Sequence, residues 1–264
     1  MTVRTGARVL PREDEDVADA VAGVLAGDGV TVVTGATVTG VTDAADHATV
    51  PYRVNGQERT ADADAVLVAT GRRPATAGLA LEAAGIRTTE SGAVAVDEHL
   101  RTSRPHVFAV GDVNGGPQFT YISLDDSRIV ADQLTGAGTR TTRDREAVPY
   151  TLFTTPPLSR VGLTEKQARE QGYAVGVAEK AVGEIAAMPR AKIVGETRGL
   201  MKFVLDTATD RVLDAALLSV DSQELVNTVA LAMRHGVTAT ELRDTIYTHP
   251  SSTEAFNEVL ATVR

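Results

Sequence analysis

Two uninterrupted apolar runs, Ala65-Val66-Leu67-Val68-Ala69 and Val107-Phe108-Ala109-Val110, constrain this 264-residue chain more than any other feature. A short run with no polar alternation predicts a strand covered on both faces, the texture of a parallel sheet. The first run is closed by Thr70-Gly71-Arg72-Arg73-Pro74 and the second by Gly111-Asp112. Parallel sheets bind ligands at the carboxyl ends of their strands. Glycine there lets a ligand approach the backbone, and a carboxylate offers acceptors to a polyhydroxylated ligand. Asp112 therefore has two readings: it starts a turn and nothing more, or it accepts hydrogen bonds from a ligand.

The remaining elements alternate helix and strand. Pro11 followed by Glu13, Asp14, Glu15 and Asp16 suits a helix start, and Val17, Val21, Val24 and Leu25 recur at helical spacing until Gly27-Asp28-Gly29. Thr2-Val3-Arg4 and Val30 to Val33 are strand-like, and Asn55-Gly56 between two alternating segments predicts a hairpin. A helical piece around Leu79 to Ala84, a β-like Ala93 to Val96 and a helix over Ile122 to Leu134 follow. Asp125-Asp126 reads as the solvated start of that helix, and residues 135–146, without large apolar side chains, as a linker. Beyond it, Thr164-x-x-Gln167 has the form of a capping box. Strand-like Ala174 to Val177, Leu200 to Leu205 and Val212 to Val220 precede a helix at Leu225 to Met233, ended by Gly236. The fold class is α/β, with an α+β module after a boundary near residue 145.

Composition narrows the function. Thirty-five acidic against 26 basic residues give a net charge of −9, which argues against nucleic acid or an anionic membrane surface as the main partner. No apolar run approaches the ~20 residues that span a bilayer. Residues 1–10 hold Arg4 and Arg8 but no signal-peptide core, so a cytoplasmic protein is expected. Cysteine is absent, which excludes disulfides, thiolate metal sites and a cysteine nucleophile within these residues. No His, Asp and Glu spacing suggests a metal site.

Three segments, in this order, resemble signatures of the flavin-dependent pyridine nucleotide-disulfide oxidoreductases: Ala69 to Pro74, Val107 to Asp112, and His249-Pro250-Ser251-Ser252-Thr253-Glu254. Gln118 to Asp126 and Thr155 to Thr164 are similar to the mercuric-reductase-like, reactive-chlorine-resistance branch. The resemblance implies the C-terminal part of a flavoprotein with two dinucleotide-binding domains, followed by an α+β dimerisation domain. Residues 1–74 correspond to the tail of the pyridine-nucleotide domain, 75–145 to the returning part of the FAD domain, and 146–264 to the dimerisation domain. No Gly-x-Gly-x-x-Gly stands between a strand and a helix; Gly35 to Gly40 and Gly111 to Gly116 do not fit it. The family's N-terminal Cys-x4-Cys is missing as well. An N-terminally truncated chain is expected.

The resemblance also implies roles. Asp112 would hydrogen-bond the flavin ribitol, Thr120 lies where the backbone nears the flavin ring, and Gly71 lies beside the nicotinamide nucleotide. Arg4 and Arg8 are either near an adenosine phosphate or plain surface residues. His249, held by Glu254, would exchange a proton with a flavin-proximal thiol across a homodimer interface, and imidazole suits that task. Glu254 has a second reading, as the far end of a Ser251-x-x-Glu254 capping box. The implied cofactors are FAD and NAD or NADP, the choice left open, and the implied substrate is a small-molecule or disulfide-type oxidant. Hypohalous-acid-derived oxidants or copper(II) follow from the branch; Leu260 to Arg264, without vicinal cysteines, speaks against mercuric ion. The expected function is an FAD-dependent NAD(P)H oxidoreductase in which this stretch alone cannot perform dithiol chemistry. The alternative is a non-catalytic self-associating module, with Val212 to Val220 and Val226 to Met233 supplying a two-fold interface.

Overall fold

A computed structural model describes residues 1–3, 6–43 and 46–264, so Arg4 lies outside the described residues. In chain order the elements are β1 (Thr2–Val3), α1 (Glu15–Gly27), β2 (Val32–Val33), β3 (Ala36–Val38), β4 (Thr42–Asp43), β5 (Ala48–Val54) and β6 (Gln57–Ala63). Then come α2 (Thr120–Thr135), β7 (Tyr150–Leu152), β8 (Leu158–Gly162), α3 (Glu165–Glu170), β9 (Val175–Ala181) and α4 (Pro189–Val194). The chain ends with β10 (Leu200–Asp206), β11 (Arg211–Leu218), α5 (Ser222–Arg234), α6 (Ala239–Asp244) and α7 (Ala255–Val259). They form two compact units: Met1–Val66 with Ala147–Arg264, and Leu67–Glu146.

The first unit is built on an antiparallel sheet in the order β7-β8-β11-β10-β9. Side chains alternate across such a sheet, and both of its faces are covered. Val161, Met201, Phe203, Leu205, Ala215 and Leu217 join the core made with α5, α6 and α7. Phe256 meets Phe203 edge-on at 5.3 Å between ring centroids. The alternate residues Leu158, Ala216 and Leu218 pack against Val17, Val21 and Val24 of α1. Each large apolar side chain so buried contributes roughly 1.5–3 kcal/mol. Val212 to Val220 and Val226 to Met233, expected to supply an interface, are mostly consumed by this core; Val212, Leu217, Val226 and Val229 are buried within the chain. Leu231 in the second stretch is exposed, and other exposed apolar side chains of this unit lie outside both stretches, among them Phe153 and Ile246, the last 96% exposed.

Local signals are realised where they depend on neighbours in sequence. Thr164 Oγ1 accepts from the Gln167 N–H at 3.0 Å, and Gln167 Oε1 accepts from the Thr164 N–H at 2.9 Å, a complete capping box for α3. Asn55 and Gly56 take φ of 51° and 75°, the positive pair that a two-residue hairpin between β5 and β6 needs. Helix α1 begins at Glu15 and not at Pro11, because Leu10 has φ of 44° and the Glu13 N–H closes a turn on the Leu10 carbonyl at 3.0 Å.

The second unit departs furthest from expectation. Neither apolar run forms a strand. Residues 65–69 run without sheet partners, and Leu67 is 91% exposed. Residues 107–110 make only a bridge, Phe108 opposite Arg101, with the Thr102 N–H on the Val107 carbonyl at 2.9 Å. A buried parallel strand needs a parallel strand beside it, and among the described residues the one parallel pairing is β1 with β2. Ala93 to Val96 likewise gives one bridge, Thr88 opposite Val94. Leu79 to Ala84 is turns and not helix, since Ala80 sits at φ 49°. The segment read as a linker is partly built: Asp132 accepts from the backbone N–H groups of Ala137 and Arg140, and Thr141 and Asp144 form a capping box.

Candidate functional site

The Gly111–Asn114 segment is a single turn of 3-10 helix at the end of the second apolar run. Gly111 has φ of 73°, a conformation that favours glycine, and a Cβ there would also press on Ser123 Oγ at 3.1 Å. Two anchors hold the turn on its flanks: the Val94 N–H bonds to the Val113 carbonyl at 2.9 Å, and the Ala109 N–H to the Leu100 carbonyl at 3.2 Å. Asp112 is exposed, and its carboxylate has no partner among the described residues. A turn fixed through its backbone, carrying a free carboxylate, is arranged to accept hydrogen bonds from something outside the chain.

Thr120 is the first residue of α2 and is exposed. Phe119, ahead of it, provides no side-chain cap, so the helix presents N–H donors at this end. Acceptors at Asp112 and donors at Thr120 match the polyol and the ring oxygens of a flavin. That much of the chain fits FAD, while a glycine-rich diphosphate cradle is not among its residues. Gly71 has φ of 118° with open space where a Cβ would stand, so conformation alone favours glycine there. Arg72 Nη1 reaches Gln118 Oε1 at 3.5 Å, joining the segment after Gly71 to the loop that leads into α2.

Asp126 overturns its reading as a solvated residue: it is fully buried. Ile122, Asp126 and Ile129 are the buried residues of α2, and their spacing of four and three is the helical stripe that could have flagged it. Its Oδ2 accepts from the Gly111 N–H at 2.7 Å and from Asn114 Nδ2 at 3.0 Å, and its Oδ1 pairs with Arg145 Nη2. Arg145 Nε also donates to Asp125 Oδ2 at 2.8 Å.

In the first unit, His249 Nδ1 lies 2.9 Å from Glu254 Oε1. Glu254 Oε2 accepts from the Ser251 N–H at 2.8 Å. That backbone donor, and after it the imidazole, hold the Glu254 carboxyl below its ordinary range, so it is ionised and the ring donates from Nδ1. Nε2 is left without a partner among the described residues, on a side chain 72% exposed. A neutral imidazole fixed in this way offers a lone pair at Nε2, the form of a general base. Only half of the expected capping box exists. Ser251 Oγ has no partner among the described residues, and α7 begins after Glu254.

A second set of charges lies in the same unit, and it includes Glu13, Asp14 and Asp16, the acids that the sequence placed at the start of a helix. Arg160 Nε donates to Asp214 Oδ1 and Arg160 Nη1 to Glu13 Oε2, each at 3.0 Å, and Tyr150 Oη donates to Glu13 Oε1. Lys202 Nζ lies 2.9 Å from Glu165 Oε2 and 3.4 Å from Asp14 Oδ2, and it also donates to Asp16 Oδ2. Burial pushes the Asp214 carboxyl up to about 8, against the pull of Arg160. Among the described residues, no group of three or more His, Cys, Asp or Glu side chains is placed to hold a metal ion, and no helix is long and apolar enough to cross a membrane.

Comparison with known proteins bears on both units. Residues 1–127 match the family model described as pyridine nucleotide-disulphide oxidoreductase, and residues 148–260 match the dimerisation domain of the same family. The probable pyridine nucleotide-disulfide oxidoreductase RclA of Escherichia coli is 47% identical over 255 residues, 97% of this chain and 56% of that protein. A mercuric reductase of Staphylococcus aureus is 37% identical over 90% of this chain and 43% of its own length. The solved structure of the HOCl-induced flavoprotein disulfide reductase RclA from Escherichia coli superposes with a TM-score of 0.91 at 45% identity, over 98% of this chain and 58% of that one. The chain thus spans about half the length of the relatives it matches. With both family models matching in order, the chain belongs to the pyridine nucleotide-disulphide oxidoreductases, a family of FAD flavoproteins that use NAD(P)H.

Proposed function

We propose that this chain is the C-terminal part of a cytoplasmic, homodimeric FAD-dependent NAD(P)H oxidoreductase that acts on a small-molecule or disulfide-type oxidant. Residues 1–74 would be the tail of its pyridine-nucleotide domain, 75–145 the returning part of its FAD domain, and 146–264 its dimerisation domain. The observation that carries the reading is the His249–Glu254 pair at 2.9 Å, with an ionised carboxylate fixing the ring and Nε2 free. Bound FAD supplies hydride acceptance from the nicotinamide and electron delivery to the oxidant's side. The chain's own residues do simpler work. Asp112 accepts hydrogen bonds from the flavin polyol, Thr120 presents backbone donors, and Gly71 gives the nicotinamide nucleotide room. His249 takes a proton at Nε2 from a thiol and returns it, and Glu254 stabilises the imidazolium in between. With no cysteine in these 264 residues, that thiol belongs to a different segment or molecule.

A second reading, a self-associating module without turnover, is favoured by Phe153 and Ile246, which are 82% and 96% exposed in the unit that contains the dimerisation-domain match. The visible spectrum and solution mass of the purified chain separate the two. Flavin bands near stoichiometry support the oxidoreductase reading, and a colourless dimer that takes up no added FAD supports the module.

A further inference from the structure

The Gly111–Asn114 turn contains more constraint than a loop needs, and most of it converges on one buried group. Asp126 reaches the turn from α2, fifteen residues away from Gly111 in sequence. One oxygen, Oδ2, takes both the Gly111 N–H at 2.7 Å and Asn114 Nδ2 at 3.0 Å, the two ends of the turn. The other oxygen is neutralised by Arg145. Asn114 spreads the constraint further: its Nδ2 lies 3.2 Å from the Ala109 carbonyl, and its Oδ1 accepts from the Gly116 N–H at 2.9 Å. A buried carboxylate is costly unless paired and fully hydrogen-bonded. Leucine at this position of the α2 stripe would fill the space without that cost. What an apolar side chain cannot do is accept two N–H groups and so fix the turn's φ and ψ. Asp112, the residue between those two anchored ends, is the one whose carboxylate has no partner among the described residues.

We propose that Asp126 is the positioning residue of this site: by clamping Gly111 and Asn114 together, it sets the direction in which Asp112 offers its carboxylate to the flavin polyol. The assignment rests on the flavin reading above and deepens it. Arg145 acts through Asp126, holding its charge in place from the C-terminal end of the same unit. The clamp exists before any ligand arrives, so Asp112 pays little ordering entropy on binding.

The test uses the full chain, with amide hydrogen exchange by NMR as one readout and titration with FAD as the other. In Asp126→Asn, exchange at the Gly111 amide is expected to accelerate about 10-fold or more, the scale of one lost hydrogen bond to a charged acceptor. Amides of Ile129 and Val130 in α2 should stay within about twofold of wild type. FAD affinity should fall by a factor comparable to that of Asp112→Ala. Unchanged exchange at Gly111 overturns the clamp, whatever FAD does. Faster exchange with wild-type FAD affinity overturns the link from the clamp to the flavin. Wild-type chain that binds no FAD, or Asp112→Ala that binds it as well as wild type, sinks the flavin reading itself and leaves Asp126 no role beyond folding. If Asp126→Asn does not fold, Asn114→Ala decides: it removes one of the two clamped donors, and it should show a smaller acceleration at Gly111 together with weaker FAD binding. No change in either measurement overturns the proposal.

Discussion

Arg160 Nη1 and Glu13 Oε2 lie 3.0 Å apart although 147 positions separate them in the chain. The ion pair fastens the residues just before α1 onto β8, and Asp214 on β11 completes it from the other side at 3.0 Å. Both acids are buried, and one guanidinium serves them.

That crowding makes stability depend on pH. The Asp214 carboxyl is raised by burial to about 8 from its ordinary 3.8, so the folded chain holds a proton there that the unfolded chain releases. Its contribution is fully present below about pH 4, falls as pH rises toward 8, and is gone above it. Thermal unfolding followed from pH 5 to 9 should show this decline, and Asp214→Asn should flatten it. A stability curve with the same slope in the variant would rule the assignment out.

Lys202 is buried on β10 beneath three carboxylates, Asp14, Asp16 and Glu165. Lys202→Met keeps the aliphatic bulk and removes the charge. It should destabilise the chain by about 3 kcal/mol, at the low end for breaking a buried pair because Asp16 and Glu165 keep some contact with water. Urea denaturation measures the change; a loss below about 0.5 kcal/mol, typical of a surface substitution, would contradict it.

For the His249–Glu254 pair, the expectation concerns turnover of the assembled enzyme. His249→Ala should slow it by about 10²–10⁴, the usual range for a general acid–base, and should remove one titrating group from the pH–rate profile. Glu254→Gln keeps the shape but not the charge and should cost less. Steady-state rates across pH are the measurement, and equal profiles for wild type and His249→Ala would falsify the proton-carrier role.

Asp112 separates its two readings by what does not change. Its side chain is exposed and has no partner among the described residues, so Asp112→Ala should leave stability within about 0.5 kcal/mol. Flavin retention, read from the visible spectrum, should nevertheless fall. Loss of stability with full flavin content would mean that the residue only shapes the turn.

Self-association should depend on Ile246, which is 96% exposed. A glutamate there places charge where an interface would exclude water, so Ile246→Glu should shift the chain from dimer to monomer in sedimentation. A dimer of unaltered strength in the variant would put the contact elsewhere.

What was legible in the sequence was local. The Thr164–Gln167 box, the Asn55-Gly56 hairpin and the stripe of α5 are decided by residues within a turn or two of one another, and each formed. The two apolar runs failed because a strand is a statement about its neighbours, and the pairing that would make Val107 to Val110 a strand lies outside local pattern. Lys202 and Arg160 were invisible for a related reason. A charge at one position of a strand looks like its solvent face, and nothing nearby announces that α1 and the acids ahead of it cover that face. Asp126 could have been found: it stands between Ile122 and Ile129 on the buried stripe of α2, and residue type outweighed spacing in its reading. Of the candidate site, the Gly111-Asp112 and His249–Glu254 pairs were visible as motifs, whereas the clamp beneath the first was not.

The charges on β8, β10 and β11 also say where the molecule can be divided. A polypeptide starting at residue 147 would carry the whole five-stranded sheet and its helices, and by family match the whole dimerisation domain. It would nonetheless inherit a buried lysine and a buried arginine whose counter-ions at residues 13, 14 and 16 are left behind, with Glu165 and Asp214 their remaining ion-pair partners among the described residues. The sequence boundary of that domain and the boundary of what can stand alone are therefore not the same line. The autonomy of the C-terminal half is on loan from a helix at the opposite end of the chain.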